Sequence, residues 1–262
     1  MKKILFLTFI TISIIIPYKS HAVDITAGLT GWYAWGEQYN VQTGDVRNSL
    51  VESDPSLLYG PALSVKFSDD FNLTFVFLYG KFNATKNDGG SPEESKFTRI
   101  DSDLALNYRL NDYLKVFVGA KYLSYDIVPN NDTTSFIFDK IDPHTSYGAG
   151  LGVSATIPIM GNLFGLATLS GLYLFGSDSF VIKDMWDSDD RQSIKAGYNE
   201  YGFNSNISLA YYISDYSTVI SLGYRFQYLL ADYKDKDNTV SLDYIRFIIH
   251  GVTLTATYNF SI

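Results

Sequence analysis

Two-residue alternation constrains this chain more than any other feature. From Leu57 the odd positions read Leu57, Tyr59, Pro61, Leu63, Val65 and Phe67, against Leu58, Gly60, Ala62, Ser64 and Lys66 at the even ones. From Thr98 one parity reads Thr98, Ile100, Ser102, Leu104, Leu106 and Tyr108, and the other reads Arg99, Asp101, Asp103, Ala105, Asn107 and Arg109. The pattern returns in 146–157, 201–211 and 251–260, each time with one apolar and one small or polar face. Successive side chains on a strand point to opposite faces, so these segments are strands with two unlike surfaces. The fold class is therefore all-β and antiparallel.

Short and long connections alternate along the chain. Phe67-Ser68-Asp69-Asp70-Phe71, Leu110-Asn111-Asp112-Tyr113 and Ile213-Ser214-Asp215-Tyr216 share one turn grammar, and Pro158-Ile159-Met160-Gly161-Asn162 supplies a fourth short turn with different chemistry. Ser, Asn, Asp and Gly suit tight turns through local hydrogen bonds and positive φ. Longer polar connections lie near 37–55, 83–96, 126–143, 176–196 and 230–241. Four short turns with both termini on one side imply ten strands, near 25–36, 57–67, 72–82, 97–109, 114–125, 145–157, 163–175, 199–213, 217–229 and 242–260; eight and twelve are the other counts the pattern allows. Thr145 to Ser177 carries no charge over 33 positions, but its seven Gly and its Pro158 turn make it a hairpin and not a membrane helix.

The first 22 residues read as a cleaved export signal. Lys2 and Lys3 precede an apolar run from Ile4 to Ile16, Pro17 breaks it, and Ser20 and Ala22 put small residues at the −3 and −1 positions of a cleavage site. The run is too short to span a bilayer as a helix. Its removal takes Lys2, Lys3 and Lys19 and no acid, so a formal charge of −8 becomes −11 in the 23–262 domain. Nucleic acid is excluded as a partner on that balance. The absence of cysteine excludes disulfides and thiolate metal sites.

Parity alone does not say which face is inside. The polar face of 146–154 is small (Gly148, Gly150, Gly152, Ser154), which suits a crowded lumen better than a soluble surface. Aromatic residues cluster at both ends of the strands. Phe67, Phe71, Tyr108, Tyr113, Tyr211, Tyr216, Tyr258 and Phe260 lie near the short turns; Trp32, Tyr33, Trp35, Tyr59, Tyr79, Tyr122, Tyr173 and Tyr201 lie near the long connections. Two aromatic girdles with short turns on one side and long loops on the other describe a transmembrane up-and-down β-barrel. On these features the chain resembles the small monomeric outer-membrane β-barrel proteins of Gram-negative-type bacteria. The resemblance implies an outer-membrane location, contact with membrane lipid and lipopolysaccharide, and passage through the barrel assembly machinery. Such proteins end on an aromatic residue, whereas this one ends Tyr258-Asn259-Phe260-Ser261-Ile262, with the aromatics displaced inward.

The parity assigns Lys66, Arg99, Asp101, Asp103, Arg109, Lys115, Lys121, Glu200 and Arg225 to the lumen. These either line a narrow pore or form a self-neutralising ion network that plugs it. His144 and Ser146 share a strand face, and the tripeptide is faintly similar to the base and nucleophile of outer-membrane lipid A deacylases, with Asp142 or Glu200 as the acid that would orient the histidine. The omptin proteases use acids and a histidine at the outer rim; Asp243 and His250 share a strand but stand roughly 20 Å apart at this spacing. The acidic stretches 184–190 and 232–238 lack Ca²⁺-loop spacing, so no metal site and no cofactor is expected. The leading expectation is a structural or surface role with an extracellular ligand contacted through the loops. A narrow channel comes second and a lipid hydrolase third.

Overall fold

The computed structural model describes residues 23–42, 49–87, 93–128, 138–141, 143–183, 191–233 and 242–261; the expected export signal, 1–22, lies outside them. The strands are β1 (Asp24–Gln42), β2 (Ser49–Ser53), β3 (Ser56–Lys66), β4 (Phe71–Asn87), β5 (Glu93–Arg109), β6 (Leu114–Val128), β7 (Phe138–Ile141), β8 (His144–Met160), β9 (Leu163–Lys183), β10 (Arg191–Ile213), β11 (Thr218–Tyr233) and β12 (Leu242–Ser261). All pairings are antiparallel. β12 returns to β1, from Asp24–Ser261 to Gln42–Leu242, and closes the sheet on itself.

β2 and β3 form one interrupted strand between β1 and β4, and β7 continues β8 alongside β9. Counted that way the ring has ten members, β1-β3-β4-β5-β6-β8-β9-β10-β11-β12. The first interruption falls at Asp54–Pro55, and Pro143 immediately precedes β8; proline has no N–H for the ladder. Across the first, the register of β2 and β3 on β1 shifts by one residue, as a bulge requires. Flanking serines supply replacement bonds: Gly36 N–H donates to Ser53 Oγ at 2.8 Å, and the Ser56 hydroxyl donates to the Lys81 carbonyl.

The expected short turns are all present. Asn111 Oδ1 accepts the N–H groups of Tyr113 and Leu114, each at 2.9 Å, and Phe71 N–H donates to Ser68 Oγ at 3.0 Å. In the β8–β9 hairpin Gly161 alone takes a positive φ, +54°, the requirement of a type II′ turn at its first central residue. At the opposite end the strands run further than the alternation suggested. Residues 37–42, 83–87, 93–96, 126–128, 176–183, 191–196 and 230–233 belong to strands, and the interruptions shrink to 43–48, 88–92, 129–137, 184–190 and 234–241, which lie outside the described residues.

The apolar parity faces outward. Leu29, Leu57, Leu151, Val153, Leu169, Ile207, Leu209, Leu222 and Leu254 are exposed on the wall. Tyr59, Tyr108, Tyr113, Tyr201, Tyr211, Tyr216, Tyr258 and Phe260 are exposed on the wall, and Tyr79 is half-buried opposite Tyr59. An apolar wall on a ring whose ten members are each paired on both sides is the arrangement a bilayer demands of a β-protein. Trp32 departs from the girdle expectation: it points inward and is 0% exposed.

Candidate functional site

The lumen is filled at mid-height by an ion network built from inward positions of β5, β6 and β11. Asp101 is its centre. Its carboxylate receives Arg99 Nη2 at 2.9 Å, Lys121 Nζ at 2.8 Å and Arg225 Nη2 at 3.4 Å. Asp103 takes Lys121 Nζ at 2.8 Å and Arg225 Nη2 at 3.3 Å. Arg99 also donates to the Tyr125 hydroxyl and to Gln227 Oε1, and Arg225 Nε donates to Asn204 Oδ1 at 3.0 Å.

The topology gives this network its meaning. β5 is fourth in the ring of ten and β11 is ninth, so the two strands face each other across the full diameter. Arg225 to Asp101 and Asp103, and Arg99 to Gln227, are therefore struts from one wall to the opposite one. Trp32 reaches between them from β1, with the Arg225 guanidinium 4.5 Å and the Arg99 guanidinium 5.8 Å from its ring. Such stacking favours arginine over lysine and helps hold the two cations apart. The three cations share Asp101 and Asp103, while Glu200, also buried, accepts the Ser146 hydroxyl. Trp32, Arg99, Asp101, Glu200 and Gln227 are all less than 2% exposed.

Toward the long connections the lumen becomes apolar. Leu123, Tyr125, Leu172, Leu174, Tyr198, Leu229, Tyr233, Ile245 and Phe247 form one buried cluster, and Trp32, Ala34, Leu58, Leu78, Phe82 and Ile249 form another. Glycines on the inner face make room for this filling: a Cβ at Gly176 would lie 2.1 Å from the Tyr198 hydroxyl oxygen. Toward the short turns the inner face is polar and only partly covered. There Asn107 Nδ2 donates to Thr74 Oγ1 and to the Asn72 carbonyl, each at 3.2 Å, and Asn72 Nδ2 donates to Ser64 Oγ, also at 3.2 Å.

The nine residues assigned to the lumen divide accordingly. Arg99, Asp101, Asp103, Lys121 and Arg225 come together in the network, and Glu200 sits above it. Lys66 and Arg109 are instead at the turn-side mouth, 44% and 40% exposed, where they pair with Asp69, Asp70 and Asp112 of the short turns. Lys115 lies beside that mouth, half-buried. The alternation carries a face for each residue but no depth. It also missed the apolar filling, because inward Leu123, Leu229 or Phe247 looks no different from an outward residue in a strand apolar on both sides.

His144 and Ser146 both point inward, but their bonding departs from a base–nucleophile pair. Ser146 donates its hydroxyl proton to Glu200 Oε2 at 2.5 Å, and the His144 ring is stacked on Tyr198, centroids 4.3 Å apart, beside Tyr125 and Phe247. Glu200 thus engages the serine and not the histidine it was expected to orient; Asp142 lies outside the described residues. His250 faces outward between Trp35 and the Tyr224 hydroxyl. Among the described residues no group of three His, Asp or Glu side chains is placed to hold a metal ion.

No protein-family model matches the chain, and no curated protein sequence does. Among solved structures it is similar to the outer membrane protease OmpT from Escherichia coli, with 12% identity and a TM-score of 0.55 over 92% of this chain and 99% of that one. It is also similar to the outer membrane protein OprG from Pseudomonas aeruginosa, with 10% identity and a TM-score of 0.46 over 94% and 98% of the two chains. At such identities the likeness to OmpT speaks for the fold, a closed antiparallel barrel of the outer-membrane type.

Proposed function

We propose that this outer-membrane β-barrel is a closed, internally braced one whose role lies at its outer rim, where strand ends and connections stand clear of the bilayer and meet extracellular ligands. The cross-diameter bridge of Arg225 to Asp101 and Asp103 carries this reading. A pore needs a continuous wet path, and here the mid-height of the lumen is occupied by side chains bonded to each other, with packed apolar side chains above them. The strands that continue past the upper girdle supply a rigid base for whatever the connections present. Removing the connections at 43–48, 88–92, 129–137, 184–190 and 234–241 from cell-displayed protein tests the surface role. Loss of adhesion or phage adsorption by the displaying cells is expected, and unchanged adhesion and adsorption would refute it.

A second reading has one observation in its favour. The turn-side half of the lumen includes Ser64, Asn72 and Thr74, which are only partly buried, with Lys66, Arg109 and Lys115 at its mouth. That is a vestibule a gated channel would use, with the ion network as the gate. Conductance that appears only when the struts are cut would favour the gate. The hydrolase reading is tested by Ser146→Ala: an unchanged lipid profile in cells carrying the variant removes it.

A further inference from the structure

One pair of like charges stands where the fold gains nothing from it. Arg109 on β5 and Lys115 on β6 are directly opposed in register, and both belong to the inner face near the short turns. Side chains so opposed stand about 5 Å apart at Cβ, and like charges there destabilise a sheet. Lys66 adds a third cation two strands away, since β3 is joined to β5 through the Lys66–Asn72 and Asn72–Asn107 pairs of the ladder. Lys66 pairs with Asp69 at 3.3 Å, and Arg109 with Asp70 and Asp112 at 3.6 and 3.8 Å. These acids are exposed on the short turns, and such surface pairs contribute little. Lys115 is half-buried and makes no ion pair or hydrogen bond among the described residues. A charge withdrawn from water without a counter-ion is costly.

The space beside these cations is open to water. Asp103, on the short-turn side of the ion network, keeps 32% of its side chain exposed, whereas Asp101 keeps 0%. Apolar clusters pack the lumen on the other side of the network, so Asp103 is reached from the short-turn end. Between Asp103 and the mouth the inner face offers hydroxyls and amides. Ser64, Asn72, Thr74 and Ser154 are partly buried there, and Ser154 stands opposite Lys115 on β8. Asp24, opposite Lys66 on β1, is the one carboxylate that the described strand residues place on the inner face below the network. Three cations against one acid give this inner face a positive charge within a chain of negative net charge.

We propose that Lys115, Arg109 and Lys66 form a binding site for a small oxyanion, a carboxylate or a phosphate, that enters the lumen from the short-turn side. Its oxygens lie between the Arg109 guanidinium and the Lys115 ammonium, where they turn an opposed pair of like charges into two charge-assisted contacts. The site stands apart from the outer rim and does not depend on whether the ion network opens.

The 23–262 chain is refolded in nonionic maltoside micelles, where both ends of the barrel meet solvent, with heat-modifiable gel mobility as the folding control. Its lysines are dimethylated with isotope-labelled formaldehyde, which keeps their charge, and the Lys115 signal is the one missing from Lys115→Gln. Sodium phosphate and sodium succinate are each titrated against sodium chloride at matched ionic strength. Saturable movement of the Lys115 signal by an oxyanion and not by chloride is expected. Arg109→Gln removes one charge-assisted contact and should weaken that binding about tenfold or more. Whichever oxyanion saturates at the lower concentration separates a phosphate site from a carboxylate site. A second readout is the urea midpoint. In chloride Lys115→Gln should raise it, because the opposed like charges are gone. The same variant should lose the increment that the bound oxyanion gives wild type beyond the salting effect common to both. Lys115 movement that follows ionic strength alone would overturn the site, as would a Lys115→Gln variant that is less stable in chloride and keeps the full increment.

Discussion

At the scale of single residues the molecule depends on Asp101. It is fully buried, it touches three cations, and no water reaches it to replace a lost bond. Removing one partner from a buried ion network costs about 3–5 kcal/mol, because the remaining charges stay buried and uncompensated. Asp101→Asn should therefore lower the urea midpoint at which the heat-modifiable band is lost, while Asp69→Asn, at the exposed mouth, should leave it within about 0.5 kcal/mol of wild type. Gly176 is a second sensitive point. Gly176→Ala drives a methyl into the Tyr198 ring and displaces the hydroxyl that donates to the Thr145 carbonyl at 2.9 Å, an overpacking that costs about 1–3 kcal/mol by the same assay. The sequence made Asp101 legible, since a charge opposite an apolar face has to go inside. It did not make Trp32 legible: an aromatic residue near a strand end looks like a girdle residue until its parity is checked against Leu29 and Tyr33, which are exposed on the wall.

At the scale of the strands, what was readable was what lipid enforces. Within the bilayer the outward face must be apolar, so alternation marked those spanning segments whose inner face is small or polar, and the aromatic girdles with the loop asymmetry told inside from outside. Beyond the girdles the bilayer no longer enforces an apolar outer face and the pattern disappears, which is why β9 and β10 continue unannounced through 176–183 and 191–196. The Asp54–Pro55 bulge was hidden for a related reason, since proline reads as a loop residue and here it interrupts a strand that resumes. The orientation of β8 gives a direct check. Leu151 is 70% exposed on the outer face near the middle of its strand, so Leu151→Arg places a charge in hydrocarbon and should cost about 2–4 kcal/mol in the folding free energy measured in lipid vesicles. A neutral result would mean that this face of β8 does not contact lipid.

At the scale of the whole molecule, the barrel is a closed wall held at constant diameter by struts between opposite strands. The charges that the exterior cannot host brace the interior, and apolar side chains pack above them around the buried Ser146–Glu200 pair. Ring closure, strand number and exterior were all foreseeable from the chain; whether the lumen charges line a path or block one was not, because the same parity serves both and only the pairing of β5 with β11 across the ring distinguishes them. Single-channel recording of the refolded 23–262 barrel in a planar bilayer addresses this most directly, with Asp101→Ala/Asp103→Ala/Arg225→Ala recorded beside it and gel mobility confirming that both are folded. A silent wild type, with discrete steps in the variant that lacks the struts, is the expected result. Steady conductance steps in the folded wild type, unchanged in the variant, would contradict closure by the ion network.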